Sequence, residues 1–123
     1  MDVTPLVREG QQIIQSYAAD GFKVSGVDYK GSIIVTPSSV FSWDMKDIAS
    51  LTADSFTMLV DQDIDVLLLG TGPSFQFVAD DLKSAVKQYG FSLDVMDNGA
   101  ACRTYNVLMA EGRRVAVALL TSK

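Results

Sequence analysis

The chain has 123 residues, 48% hydrophobic and 20% charged, which is the length and composition of one globular domain, and it has no low-complexity stretch of the kind that stays disordered. Ten basic against fifteen acidic side chains leave a formal charge of -5, which repels phosphate backbones and argues against nucleic acid as a partner. There is no histidine and one cysteine, Cys102, so Ser-His-Asp and Cys-His chemistry is excluded and no internal disulfide asks for an oxidising compartment.

Read in chain order, the start Met1-Asp2-Val3-Thr4-Pro5 has the layout of neither a secretory signal nor a transit peptide, and no apolar run is long enough to span a bilayer. The expectation is a cytoplasmic protein, with no membrane insertion. The first third reads as short strands at 13–17, 22–24, 27–29 and 32–35. Asp20-Gly21, Ser25-Gly26 and Lys30-Gly31 between them supply the positive φ of tight hairpins, so the expectation is an antiparallel meander. Val40 to Trp43 makes another strand, and Thr52 is placed to cap a helix over 53–59.

From Ile64 an almost fully apolar strand runs into Gly70-Thr71-Gly72-Pro73. A helix follows, with Phe75, Val78, Leu82, Ala85, Val86 and Tyr89 at helical spacing and Gly90 as its stop. Phe91 to Val95 is a strand, Gly99 to Ala110 a second helix stopped by Gly112, and Arg114 to Leu120 a closing strand. A meander leading into β-α-β-α-β predicts a single three-layer α/β domain over 1–123, with helices covering a largely buried sheet.

The two strand-to-helix junctions are where α/β proteins place ligand contacts. Gly70-Thr71-Gly72-Pro73 reads first as a tight turn capped by Thr71 or Ser74, and second as an anion cradle. Phe75 stands where a dinucleotide fingerprint needs glycine, and the Gly-Lys-Ser/Thr ending of a P-loop is absent. Asp61-Gln62-Asp63-Ile64-Asp65 alternates carboxylates as a calcium loop does, yet Val66 and Gly72 occupy the positions of its glycine and bidentate glutamate, so it reads as a solvated acidic turn. At the second junction a helical wheel puts Ala101, Cys102, Tyr105, Leu108 and Met109 on one face and Arg103, Asn106 and Ala110 on another. Cys102 is then a small, inert core residue, and the charge of Arg103 is answered by Asp97, by Glu111 or by a ligand. Trp43, Phe41 and Phe56 read as core before they read as partner anchors.

Several spaced landmarks resemble domain-of-unknown-function family 498, which includes a mitochondrial complex I assembly factor and bacterial relatives. They are Gly21-Phe22 with Gly26, Pro37 and Trp43, Thr52 with Phe56, Leu69-Gly70-Thr71-Gly72, Asp97, and Ala101-Cys102-Arg103-Thr104-Tyr105-Asn106 with Glu111-Gly112-Arg113, so the likeness runs from about Gly21 to Leu120. The resemblance implies a three-layer α/β domain with a mixed central sheet and no established catalytic activity. Asn98 departs from it, since the family usually carries Thr beside the aspartate; Asn can still cap the helix.

Two functions follow as expectations. The first is a non-enzymatic protein-binding or assembly-factor-like module of a bacterial cytoplasm, linked to respiratory complex biogenesis. The second is a small anionic-ligand-binding protein or enzyme using Gly70, Thr71, Gly72, Asn98, Arg103 and Asn106, with Arg103 neutralising the anion and Asn106 or Thr71 orienting it. No motif asks for a cofactor or a metal. Self-association as a homo-oligomer stays open through the edges a meander presents.

Overall fold

The computed structural model describes residues 10–121; the Met1–Pro5 start, read above as leaderless, lies outside them. Three of the first four strands pair as expected: β1 (Ile14–Tyr17), β2 (Gly21–Val24) and β3 (Val27–Lys30) form an antiparallel sheet in the order β1-β2-β3. The fourth, β4 (Ile33–Val35), leaves the meander. All of its residues are buried, and it seats itself between β5 (Val40–Ser42) and the C-terminal strand β8 (Val115–Leu119). A fully apolar Ile33-Ile34-Val35 needs cover on both faces, which an edge of the small sheet could not supply.

The second sheet has the order β5-β4-β8-β6-β7, where β6 is Val66–Gly70 and β7 is Ser92–Met96. The pairs β6–β7 and β6–β8 are parallel and those made by β4 are antiparallel, so the sheet is mixed. Alternation along its central strands divides the core. Ile33, Val35, Leu68, Val115, Val117 and Leu119 point to one face, under α2 (Asn98–Ala110) and the small sheet. Ile34, Leu67, Leu69, Ala116 and Ala118 point to the other, under α1 (Asp80–Lys87) and the 3₁₀ helix Ala53–Leu59. Helices on opposite faces of one sheet are the three layers the sequence predicts.

One helix forms where expected and one starts late. The segment 53–59 is a 3₁₀ helix with Thr52 at its N-cap and the Thr52 N–H donating to Ser55 Oγ at 3.1 Å. The helix expected from Phe75 starts only at Asp80, after Ala79, which makes no side-chain cap. The reason lies in Thr71: its hydroxyl donates to the Ser74 carbonyl at 2.8 Å and accepts from the Gln76 N–H at 3.1 Å. Those local bonds hold 71–76 in a non-helical loop. Trp43 and Phe56 are core as expected, with Phe41 half-buried against the same core: Trp43 packs on Phe56 at 5.5 Å between ring centres, and its indole N–H reaches the Ser55 carbonyl at 3.1 Å.

Candidate functional site

Because β6 and β7 run parallel with Gly70 opposite Met96, the two junctions emerge side by side at the same end of the sheet. They are bonded to each other. The Asn98 N–H donates to the Gly72 carbonyl at 2.8 Å, and Asn98 Oδ1 accepts from the Gly72 N–H at 3.0 Å. Asn98 Nδ2 donates to the Leu120 carbonyl at 2.8 Å, and the Leu120 N–H to the Gly70 carbonyl at 3.1 Å. One buried carboxamide thus ties together the ends of β6, β7 and β8. Gly70 has no room for a side chain, since a Cβ there would strike Asn98 Oδ1 and come within 2.8 Å of Leu119 Cδ2. Gly72 takes φ +106°, which L side chains rarely adopt.

This arrangement uses up the groups an anion cradle needs. The Thr71 N–H goes to the Met96 carbonyl at 2.9 Å, its hydroxyl to the loop, and the Gly72 N–H to Asn98. The helix cap is Asp97 rather than Asn98: the Asp97 carboxylate accepts from the Ala100 N–H at 2.8 Å. Asn106 does not join the cleft. It lies on the buried side of α2, where its Oδ1 accepts from the Ile14 N–H at 3.0 Å and its Nδ2 donates to the Ile14 carbonyl at 2.8 Å. The wheel groups Asn106 by angle with Arg103 and Ala110, but it stands one turn on from buried Cys102, and there the backbone of β1 supplies partners for its carboxamide.

Arg103 is exposed on the open side of the same helix. It borders a cleft of about 630 Å³ with Tyr17, Pro73, Asp97, Gly99 and Thr121. Its guanidinium lies 3.5 Å from the Tyr17 hydroxyl, and among the described residues no carboxylate is within ion-pair reach of it, so the expected pairing with Asp97 or Glu111 does not form. Asp97 is engaged instead at the helix cap. A Cβ on Gly99 would approach Tyr17 Oη to 2.6 Å, so that glycine lets the β1–β2 hairpin close over the helix start. Tyr17 was invisible as a site residue in the sequence, because only the docking of the hairpin on α2 brings it there.

Cys102 is buried, and desolvation pushes its thiol up to about 12 against the smaller pull of Arg103, so it stays protonated at neutral pH. Burial likewise raises the Tyr105 phenol, whose hydroxyl donates to the Gln12 carbonyl at 2.8 Å. The acidic run 61–65 is a surface turn. Arg114 holds Asp65 with two hydrogen bonds, at 3.0 and 2.9 Å, and reaches Asp63 at 2.9 Å. Among the described residues no three or more His, Cys, Asp or Glu are gathered as a metal site. No helix among them is long and apolar enough to cross a membrane.

Two exposed aromatics stand where helical spacing predicts the start of a helix. Phe75 and Phe77 stack edge to face at 4.8 Å on the loop after Pro73, and Phe77 is 86% exposed. The cleft wall therefore offers a cation and a phenol, and the loop that leaves it at Pro73 carries two exposed rings, residue types enriched at protein interfaces.

Residues 14–120 match the family model described as protein of unknown function DUF498/DUF598. Among curated proteins, the chain is 32% identical to human NADH dehydrogenase [ubiquinone] 1 alpha subcomplex assembly factor 3, over 96% of this chain and 66% of that protein. It thus spans just under two thirds of that relative's length. It is also 32% identical to an uncharacterised protein of Rhodobacter capsulatus, over 87% of this chain and 82% of that one. A crystal structure of a Bordetella parapertussis protein superimposes with a TM-score of 0.83 at 33% identity, covering 91% of this chain and 97% of the other. With the family model spanning nearly all of the described fold, the chain belongs to the DUF498/DUF598 family.

Proposed function

We propose that this protein is a non-enzymatic, assembly-factor-like module of a bacterial cytoplasm that holds a protein client at the cleft rim, the client being a subunit of a respiratory NADH dehydrogenase during its biogenesis. The observation that carries this reading is the likeness to assembly factor 3 along 96% of the chain, which makes the α/β domain itself the shared part. The rim supports it. Arg103 and Tyr17 line the cleft with Pro73, the exposed Phe75–Phe77 pair follows Pro73 in the chain, and Asn98 satisfies the backbone groups of the frame, so a client meets a pre-organised surface. The test is co-purification of the tagged protein from its source cells after a salt wash. A reproducible dehydrogenase subunit, lost in Arg103→Glu and in Phe77→Ser while both variants keep the wild-type melting temperature, is the expected result. Retention of the same partners by both variants contradicts the rim as the contact.

A second reading rests on one observation: the Arg103 guanidinium borders a cleft of about 630 Å³ and has no carboxylate in ion-pair reach among the described residues. A small carboxylate or phosphate could be held there by Arg103 next to the α2 start. Thr71 and Asn106 take no part, because their side chains are engaged within the fold. Binding would raise the melting temperature with rising ligand concentration, and this rise would vanish in Arg103→Gln. No shift across a panel of metabolic acids and phosphates rules this reading out.

A further inference from the structure

The free edge of the small sheet has the geometry and the charge pattern to pair with itself. β3 is the last strand in the order β1-β2-β3, and Val27, Asp28 and Lys30 are exposed. The Ser25-Gly26 turn has φ of 48° and 85°, a two-residue hairpin of the I′ type, which makes its flanking residues Val24 and Val27 a hydrogen-bonded pair. Alternation then turns the backbone groups of Val27 and Tyr29 inward to β2 and those of Asp28 and Lys30 outward. The bond from the Gly31 N–H to the Asp20 carbonyl, at 3.0 Å, continues the same phase. Among the described residues none takes up the outward groups of Asp28 and Lys30.

We propose that β3 is a self-association strand that pairs antiparallel with β3 of a second copy about a twofold axis through Tyr29. In this register Asp28 stands opposite the second copy's Lys30 and Lys30 opposite its Asp28. Both are hydrogen-bonded pairs in which the outward N–H and C=O groups are exchanged. Residues two apart share a face of a strand, so the same two pairs are also cross-strand ion pairs. Val27, 51% exposed in one copy, lies diagonal to the second copy's Tyr29 on the opposite face and is covered there. Shifting the axis to Asp28 or to Lys30 places like charges face to face, so the charge order selects one register. Charges on an edge strand ordinarily block pairing; with alternating signs they block other strands and match a copy of this one.

The test is the average mass of the full chain in solution, by sedimentation or light scattering, over a concentration series. The wild type is expected to move from monomer toward dimer as concentration rises. Asp28→Lys and Lys30→Asp each turn both cross-strand pairs repulsive and should weaken association by about tenfold. An equimolar mixture of the two variants, and the double swap in one chain, should restore it. Both positions are exposed, so melting temperatures near wild type are expected and confirm folded variants. A wild type that stays monomeric at every concentration overturns the proposal and leaves the edge open to a strand of another protein. A dimer indifferent to both variants overturns it by placing the contact elsewhere. Single variants that are weakened but not rescued by mixing overturn the register.

Discussion

The Asn98 side chain satisfies backbone groups on two neighbouring segments and stands against a glycine that leaves it room. Asn98→Ala orphans the Gly72 N–H and the Leu120 carbonyl, and should cost about 2–4 kcal/mol in urea denaturation. Gly70→Ala should cost about 1–3 kcal/mol by overpacking the same spot. Cys102 sets an alkaline limit. Its thiol, ordinarily near 9.0, is pushed up to about 12 in the fold by burial, so the neutral form is favoured by folding. That stability is complete below pH 9 and is lost as pH rises from about 9 toward 12, with a slope of at most about 1.4 kcal/mol per pH unit. The raised Tyr105 phenol acts in the same direction. In Cys102→Ala the alkaline fall in melting temperature should be shallower than in wild type; an identical fall would contradict a buried, protonated thiol.

At the scale of elements, α2 is a clamp. Its apolar side, with Ala101, Cys102, Tyr105 and Met109, seals one face of the large sheet, while Asn106 behaves as a surrogate strand for β1 by bonding both backbone groups of Ile14. Asn106→Leu keeps bulk but strands those groups, and should cost about 2–4 kcal/mol, with faster amide exchange at Ile14 than at the centre of β8. Tyr105→Phe removes only the bond to the Gln12 carbonyl and should cost about 1 kcal/mol. These elements differ in how far the sequence reveals them. The runs Val66–Leu69 and Val115–Leu119 are apolar at every position, and only burial on both faces explains that, so the central strands were readable directly. The late start of α1 was not, because helical spacing at Phe75 and Val78 carries no trace of a Thr71 hydroxyl diverting the backbone. Asn106 was misplaced because a helical wheel shows which residues share a face but not what packs at its border, and its partner lies 92 residues away.

For the molecule as a whole, the sheet order brings both junctions to one end, and the hairpin of the small sheet closes over them. The result is a cleft with Arg103, Tyr17 and Pro73 at its wall. The sequence named both junctions but not their union, which depends on β6 and β7 being neighbours, a fact of topology that no local pattern encodes. The same union spends the Gly72 amide on Asn98 and leaves the cleft to be lined by side chains such as Arg103 and Tyr17.

The most direct measurement of the proposed role is the amount of assembled NADH dehydrogenase on native gels from source cells lacking this chain, complemented with either wild type or Arg103→Glu. The proposed role predicts that the assembled complex falls on deletion and that subassemblies accumulate. Wild type should restore assembly, and the folded Arg103→Glu variant should not. Unchanged levels of the assembled complex in the deletion strain would contradict it.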